Sequence, residues 1–121
     1  MFTVIERIEV KPDQRQHFVL CWRTVHEAIE EQCGSLGSRL HAADDGTFIG
    51  YVQWPDRGAW EACELPTQYA QVDDSMRAAC TSMETLYELE VVMDLPGSSD
   101  HTETQKAIRW VLSYFGLQIN P

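Results

Sequence analysis

Three side chains in the middle of the chain, Arg39, His41 and Trp54, have the chemistry of a small acid–base site. They lie on two alternating runs that flank an Asp45-Gly46 pair, which is a strong signal for a β-hairpin. If this pair forms a two-residue turn, the three side chains point to one side of the sheet. Arg39 could then hold a phenolate and His41 could exchange its proton, beside an indole wall. The hairpin therefore predicts catalytic residues in a pocket for a flat aromatic phenol.

The same hairpin residues also have a purely structural interpretation. In the two-residue register Trp54 faces Gly37, and an aromatic ring across a glycine is a common packing arrangement in sheets. Arg39 and His41 could simply pair with acids of the last predicted strand, such as Glu88. Both interpretations stay open on the sequence.

Five aromatic residues could line a substrate pocket. Trp22 and His26 lie one helical turn apart and could border a cavity between a helix and the sheet. Tyr51 could donate a hydrogen bond to a ligand, and Trp60 and Tyr69 flank a helix break that could form a pocket mouth. Each also has a structural alternative, as a packed core ring, an exposed or satisfied histidine, or part of an apolar patch.

Size and charge narrow the classes of function. The 121 residues fit one domain, and the net charge of −10 argues against binding to nucleic acid or to an anionic membrane surface. No apolar run approaches the 18 residues that a membrane span needs. We therefore expect neither nucleic acid nor membrane as a partner.

The four cysteines, at positions 21, 33, 63 and 80, form no C-x-x-C pair, and we expect reduced, buried thiols in a cytoplasmic protein. No secretory signal precedes the first predicted strand. The four histidines form no H-E-x-x-H motif, and no glycine-rich phosphate loop occurs. We expect no metal site and no cofactor.

The predicted elements follow the order β-α-β-β-α-β. A strand over Phe2–Val10 precedes a helix that starts at an Asp13–Gln16 capping box and ends before Gly34. After the hairpin, Asp56 caps a helix that breaks at Leu65-Pro66. A second helical segment covers 67–82, and a long strand covers 83–95.

This order predicts an α+β, ferredoxin-like domain over residues 1–95, with a four-stranded antiparallel sheet and helices on one face. We expect residues 96–121 to form a linker and an amphipathic C-terminal helix. The other sheet face is not uniformly polar, so a second copy of the chain is the simplest cover. The tail helix could dock on the same domain, across the dimer, or on another protein.

The chain resembles the antibiotic biosynthesis monooxygenase family over about residues 2–95. The matching stretches are Gly37-Ser38-Arg39-Leu40-His41, Asp45-Gly46-Thr47, Gln53-Trp54-Pro55 with Trp60, and 84–92. The resemblance implies a dimeric α+β barrel. It also implies relatives that include cofactor-independent monooxygenases of phenols, quinol monooxygenases and haem-degrading enzymes.

Two features depart from the pattern of that family. Gly50 stands where the phenol-oxidising members carry an asparagine, four residues before the tryptophan at 54. Cys63 and Glu64 stand where haem-degrading and several quinol-type members carry a histidine. The missing histidine argues against haem degradation.

The resemblance and the residues together favour a cofactor-independent monooxygenase that acts on a small aromatic phenol or quinol. The alternative is a non-catalytic, dimeric ligand-binding or interaction module of the same fold. A third possibility is a different small-molecule enzyme, such as an isomerase or a decarboxylase, on the same scaffold.

Overall fold

The computed structural model describes residues 1–95, 97 and 114. The predicted linker and tail helix over 96–121 lie outside these residues, apart from 97 and 114. Within the described part, the four strands are β1 (Phe2–Val10), β2 (Gly37–Ala42), β3 (Phe48–Trp54) and β4 (Cys80–Glu90). The helices are α1 (Arg15–Cys33), α2 (Arg57–Glu61) and α3 (Ala70–Ala78), and short 3-10 turns precede α1 and α3 at Pro12–Gln14 and Thr67–Tyr69.

The strands form one antiparallel sheet in the order β2-β3-β1-β4. This order and the β-α-β-β-α-β succession confirm the predicted ferredoxin-like α+β fold. The helices lie on one side, called here the covered face. The opposite side, called the uncovered face, carries Ile5, Arg39, His41, Ile49, Tyr51, Tyr87 and Leu89.

The hydrophobic core lies between the covered face and α1. Alternate residues of β1, Phe2, Val4 and Ile8, are fully buried because a strand turns every second side chain toward the same face. Phe18 and Val25 of α1 pack at helical spacing in one cluster with Ile8, whereas Phe2 and Val4 belong to a second cluster with residues of β3. The core therefore has two parts along β1.

The C-terminal end of α1 agrees with the prediction from the sequence, whereas its N-terminal end does not. Gly34 ends the helix in the left-handed conformation at φ 75°, and its N–H donates to the Glu30 carbonyl at 3.2 Å, as predicted. The predicted capping box at Asp13 is wrong, since neither Lys11 nor Gln14 makes a side-chain capping hydrogen bond. A 3-10 turn leads into the helix instead.

The β2–β3 hairpin has a three-residue loop, so the predicted two-residue turn is wrong. The Ala43 N–H donates to the Thr47 carbonyl at 2.8 Å, and Gly46 adopts φ 87° inside the loop. A type I turn followed by a left-handed glycine is the usual form of such a loop. The Asp45 carboxylate fixes it by accepting from the N–H and the hydroxyl of Thr47, at 3.0 and 2.6 Å.

The longer loop shifts the strand register by one residue. Arg39 pairs with Tyr51 and His41 pairs with Ile49, which places both on the uncovered face, where they are exposed. Trp54 lies on the covered face and is buried. The prediction that Arg39, His41 and Trp54 share one side of the sheet is therefore wrong, because a one-residue slip exchanges the two faces.

The last strand begins and ends earlier than the predicted 83–95, at Cys80 and Glu90. Its pairing with β1 shifts between Ile5 and Glu6, so that Ile5 pairs with Tyr87 and Glu6 pairs with Thr85. The extra residue, Leu86, forms a β-bulge. Because of the bulge, Thr85 turns to the covered face while Tyr87 turns to the uncovered one.

The structure also differs from the expectation that the cysteines are reduced. Cys33 and Cys63 form a disulfide with a Cα–Cα distance of 5.3 Å, whereas Cys21 and Cys80 are free. The expectation of four reduced thiols is wrong for this pair, because the ends of α1 and α2 meet here. The predicted cytoplasmic location no longer has that support and stays a prediction. None of the helices in the described residues is long and apolar enough to cross a membrane.

Candidate functional site

A cavity of about 740 Å³ lies between the helices and the covered face of the sheet. Three tryptophans from three different elements line it: Trp22 of α1, Trp54 of β3 and Trp60 of α2. The charged and titratable groups along its lining are Glu6, His26, Glu64, Asp73, Asp74 and Arg77. An aromatic cavity with a few polar groups is the usual form of a small-molecule site.

Glu6 is the acid that enters this cavity from the centre of the sheet. It occupies the same row of β1 as Phe2, Val4 and Ile8, which are fully buried. Within the described part of the chain, its carboxylate makes no side-chain hydrogen bond or ion pair. Burial raises the pKa of Glu6, and the nearby positive charge of Arg77 opposes this rise.

Small neighbours leave room beside Glu6. Its partner on β3 is Gly50, which has no side chain, and its partner on β4 is Thr85, which the bulge turns toward the cavity. A Cβ added to Gly50 would lie 3.6 Å from Ile8 Cδ1 and 3.8 Å from Trp22 Nε1. Glycine at this position therefore leaves open a space that a larger side chain would fill against Trp22.

His26 and Trp22 form a stacked pair on α1. Their ring centroids are 3.9 Å apart, and His26 Nδ1 shares a hydrogen bond of 3.0 Å with the Ser38 hydroxyl on β2. Burial lowers the pKa of His26 to about 4, against a smaller opposing effect of the Asp73 charge. The imidazole is therefore neutral near pH 7 and can accept or donate one hydrogen bond at its other nitrogen.

Trp54 and Trp60 form the opposite wall. The indole N–H of Trp54 is buried and has no hydrogen-bond acceptor among the residues that the structure describes. Trp60 packs on Phe2 at 5.5 Å between ring centroids. Its short helix is held by the Asp56 carboxylate, which accepts from the Ala59 N–H at 2.8 Å as predicted, and by the disulfide at Cys63.

The helix α3 closes the remaining side. Asp73 and Arg77 lie one turn apart and form an ion pair of 3.2 Å between Oδ2 and Nε. Arg77 thus neutralises one lining carboxylate and influences Glu6 as well.

The cavity includes half of the predicted site residues. Trp22, His26, Trp54 and Trp60 all line it. Tyr51 lies on the uncovered face with Arg39 and His41, and Tyr69 lies in the 3-10 turn before α3 and is not among the lining residues. Their catalytic and binding roles stay predictions, but these four residues do not share the cavity with the tryptophans.

Sequence reasoning missed Glu6 and Asp73. A signal for Glu6 was present, because an acid at position 6 interrupts the row that positions 2, 4 and 8 fill with large apolar residues. No comparable signal marks Asp73, which is one of two adjacent acids on a short helix. Within the described residues no group of three or more His, Cys, Asp or Glu side chains could hold a metal ion.

A four-stranded sheet with helices on one face and a cavity between the layers defines a small α+β domain. The sequence profile of the antibiotic biosynthesis monooxygenase family matches residues 1–64 of the 121. Since this is more than half of the chain, the protein belongs to that family. No curated protein sequence matches the chain significantly.

Solved structures show the same fold. A crystal structure of an antibiotic biosynthesis monooxygenase superposes with a TM-score of 0.62 at 20% identity, covering 77% of this chain and 100% of the other. SnoaB from Streptomyces nogalater, a cofactor-independent oxygenase, gives a TM-score of 0.66 at 16% identity, with 79% and 97% covered. Rv0793 from Mycobacterium tuberculosis gives 0.59 at 17%, with 76% and 98% covered. At these sequence identities, the structural similarity establishes the fold.

Proposed function

We propose that this protein is a cofactor-independent monooxygenase that oxidises a small aromatic phenol or quinol in the cavity under its helices. The family membership and the similarity in fold to a cofactor-independent oxygenase support the reaction class. The observation that carries the proposal is the Glu6 carboxylate, which lies partly buried on the sheet side of a cavity that three tryptophans also line.

Glu6 is the proton acceptor in this proposal. The substrate ring lies between the indoles, and its hydroxyl proton passes to the Glu6 carboxylate, leaving a phenolate. A ring carbon of the phenolate gives two electrons to O₂ and forms a C–O bond, and Glu6 returns the proton to give a hydroperoxide. The hydroperoxide loses water, with cleavage of its O–O bond and of the C–H bond at the same carbon, and a quinone results. A raised pKa makes the carboxylate a stronger base, because its pKa then lies closer to that of the weakly acidic phenol. The tryptophans orient the ring and keep water away from the anion.

The other polar groups have supporting roles. His26, neutral near pH 7, contributes a hydrogen bond to a second oxygen of the substrate. We assign the proton transfer to Glu6 rather than to His41, because His41 lies across the sheet from the cavity.

The uncovered face supports the second part of the proposal, a homodimer. Ile5, Ile49 and Tyr51 are partly exposed there, and Tyr87 and Leu89 are 59% and 41% exposed. A contiguous apolar sheet face of this kind is typical of a subunit interface. We propose that a second copy of the chain packs against it.

The alternative function is a non-catalytic binding module of the same fold. Gly50 favours it, because the resemblance places an asparagine of the phenol-oxidising members at that position. The cavity would then bind an aromatic ligand without consuming O₂.

Oxygen uptake with a panel of phenols and quinols tests the proposal. We expect uptake by the unmodified protein and a loss of at least about 100-fold in Glu6→Gln, since a general base contributes this much or more. The matched control is Glu84→Gln, which removes an exposed acid on the opposite side of the sheet.

The fold of Glu6→Gln can be checked independently of activity. Because the pKa of Glu6 is raised in the folded state, its charge opposes folding at neutral pH, and the stability that it contributes is lost as pH rises through that pKa. We therefore expect Glu6→Gln to unfold at the same temperature or higher at pH 7. Absence of uptake across the panel, with ligand binding retained, would instead establish the binding module.

A further inference from the structure

The lining of the cavity is strongly acidic. Four carboxylates border it, from Glu6, Glu64, Asp73 and Asp74, and among the described lining residues Arg77 is the one cation. Arg77 is already paired with Asp73 at 3.2 Å, and His26 is neutral near pH 7. Three carboxylates are therefore left without a partner of opposite charge in the described part of the lining.

These three carboxylates lie at different depths. Glu6 is partly buried in the sheet at the floor of the cavity, whereas Glu64 and Asp74 are exposed and belong to the rim. A ligand bound in this cavity therefore meets one carboxylate at the floor and two at the rim.

The charge of the lining decides which charged group it accepts. Unpaired carboxylates attract an ammonium group and repel a second anion. The tryptophans are available for apolar contact with the aromatic ring of the same ligand.

Building on the proposed function, we infer that the substrate is a hydroxylated aromatic amine, bound as its ammonium cation. Its phenolic hydroxyl points to Glu6 at the floor, and its ammonium group lies at the rim between Glu64 and Asp74. Aromatic substrates that carry a carboxylate at the same position are rejected. The site thus selects by charge at the rim and performs its proton transfer at the floor.

Three catechols of nearly equal shape test this inference: dopamine as the cation, 4-ethylcatechol as the neutral compound and 3-(3,4-dihydroxyphenyl)propanoate as the anion. Binding is measured under argon at physiological ionic strength, from the indole N–H signals of the full-length protein by NMR. We expect dopamine to bind roughly tenfold more tightly than the anion, with the neutral compound between them.

Two double variants distinguish the effect of the rim carboxylates on binding from the effect of the overall charge of the protein. Glu64→Gln with Asp74→Asn should reduce the difference between cation and anion to less than about threefold. Asp44→Asn with Glu84→Gln removes the same charge from the hairpin loop and the opposite side of the sheet, and should leave the difference unchanged.

Each result has a defined consequence. Equal or tighter binding of the anion, no shift of any indole signal at millimolar ligand, or equal effects of the two double variants would overturn the inference. Oxygen uptake that favours anionic phenols would overturn it while leaving the oxygenase proposal intact. Preferential binding of dopamine without oxygen uptake would support the inference and contradict the oxygenase proposal.

Discussion

At the scale of single residues, the burial of His26 makes the stability of the folded protein depend on pH. Its pKa is lowered from 6.5 to about 4 because burial disfavours the charged imidazole. Between these values the unfolded chain binds a proton that the folded protein does not, so stability falls as pH decreases from about 6.5 to about 4. We expect this residue to account for at most about 3 kcal/mol of that loss.

The measurement is chemical unfolding at several pH values across this window. His26→Gln should flatten the acid limb of the curve, since glutamine does not titrate. His17→Gln is the matched control, because His17 is an exposed histidine of the same helix, and it should flatten the acid limb less than His26→Gln does. An identical acid limb in His26→Gln and the unmodified protein would contradict the assignment.

The sequence predicted the candidate site where local spacing alone decides the geometry. Trp22 and His26 are four residues apart, so a helix brings them together whatever the rest of the fold does. Arg39 and His41 depended on the length of one turn, and a one-residue error moved them to the opposite face. The cavity around Glu6 is lined by residues from six elements. A local pattern of the sequence does not show how these elements are arranged.

At the scale of secondary-structure elements, the disulfide between Cys33 and Cys63 holds the end of α1 to the end of α2. It closes a loop of 30 residues, and a cross-link of that length is worth about 3 to 4 kcal/mol. We expect Cys33→Ser with Cys63→Ser to lower the free energy of unfolding by about this amount. The same change should weaken ligand binding, because Trp60 of α2 and Cys63, two residues after this helix, both line the cavity.

Thiol titration in denaturant without reductant provides the direct check. Two of the four cysteines should react, namely Cys21 and Cys80. Cys80→Ser alone serves as the control, with a small effect on stability. Reaction of all four thiols in freshly purified protein would show that the bond is not formed. The spacing of 30 residues could not predict this pairing, because it depends on where α2 lies after the hairpin.

At the scale of the whole molecule, the fold was the most predictable property. The period of two in the strands and of 3.6 in α1 fixes the kinds of element, and their order leaves few ways to cover one sheet face. The limits of β4 were less predictable, because its bulge breaks the alternation near Leu86 and its pairing with β1 begins already at Cys80. The alternation of residues in β4 alone does not show where its pairing with β1 begins and ends.

The uncovered face leads to a prediction about assembly. We expect twice the monomer mass in light scattering, and a predominantly monomeric protein when Tyr51→Lys and Leu89→Lys are combined. Two buried lysines in an apolar interface should weaken association by at least about 2 kcal/mol, or roughly 30-fold in Kd. Leu20→Lys is the control, because Leu20 is 58% exposed on the outer side of α1 and should leave the dimer intact. A monomeric unmodified protein would contradict the prediction, and so would a double variant that stays dimeric, since a second copy would then not cover this face.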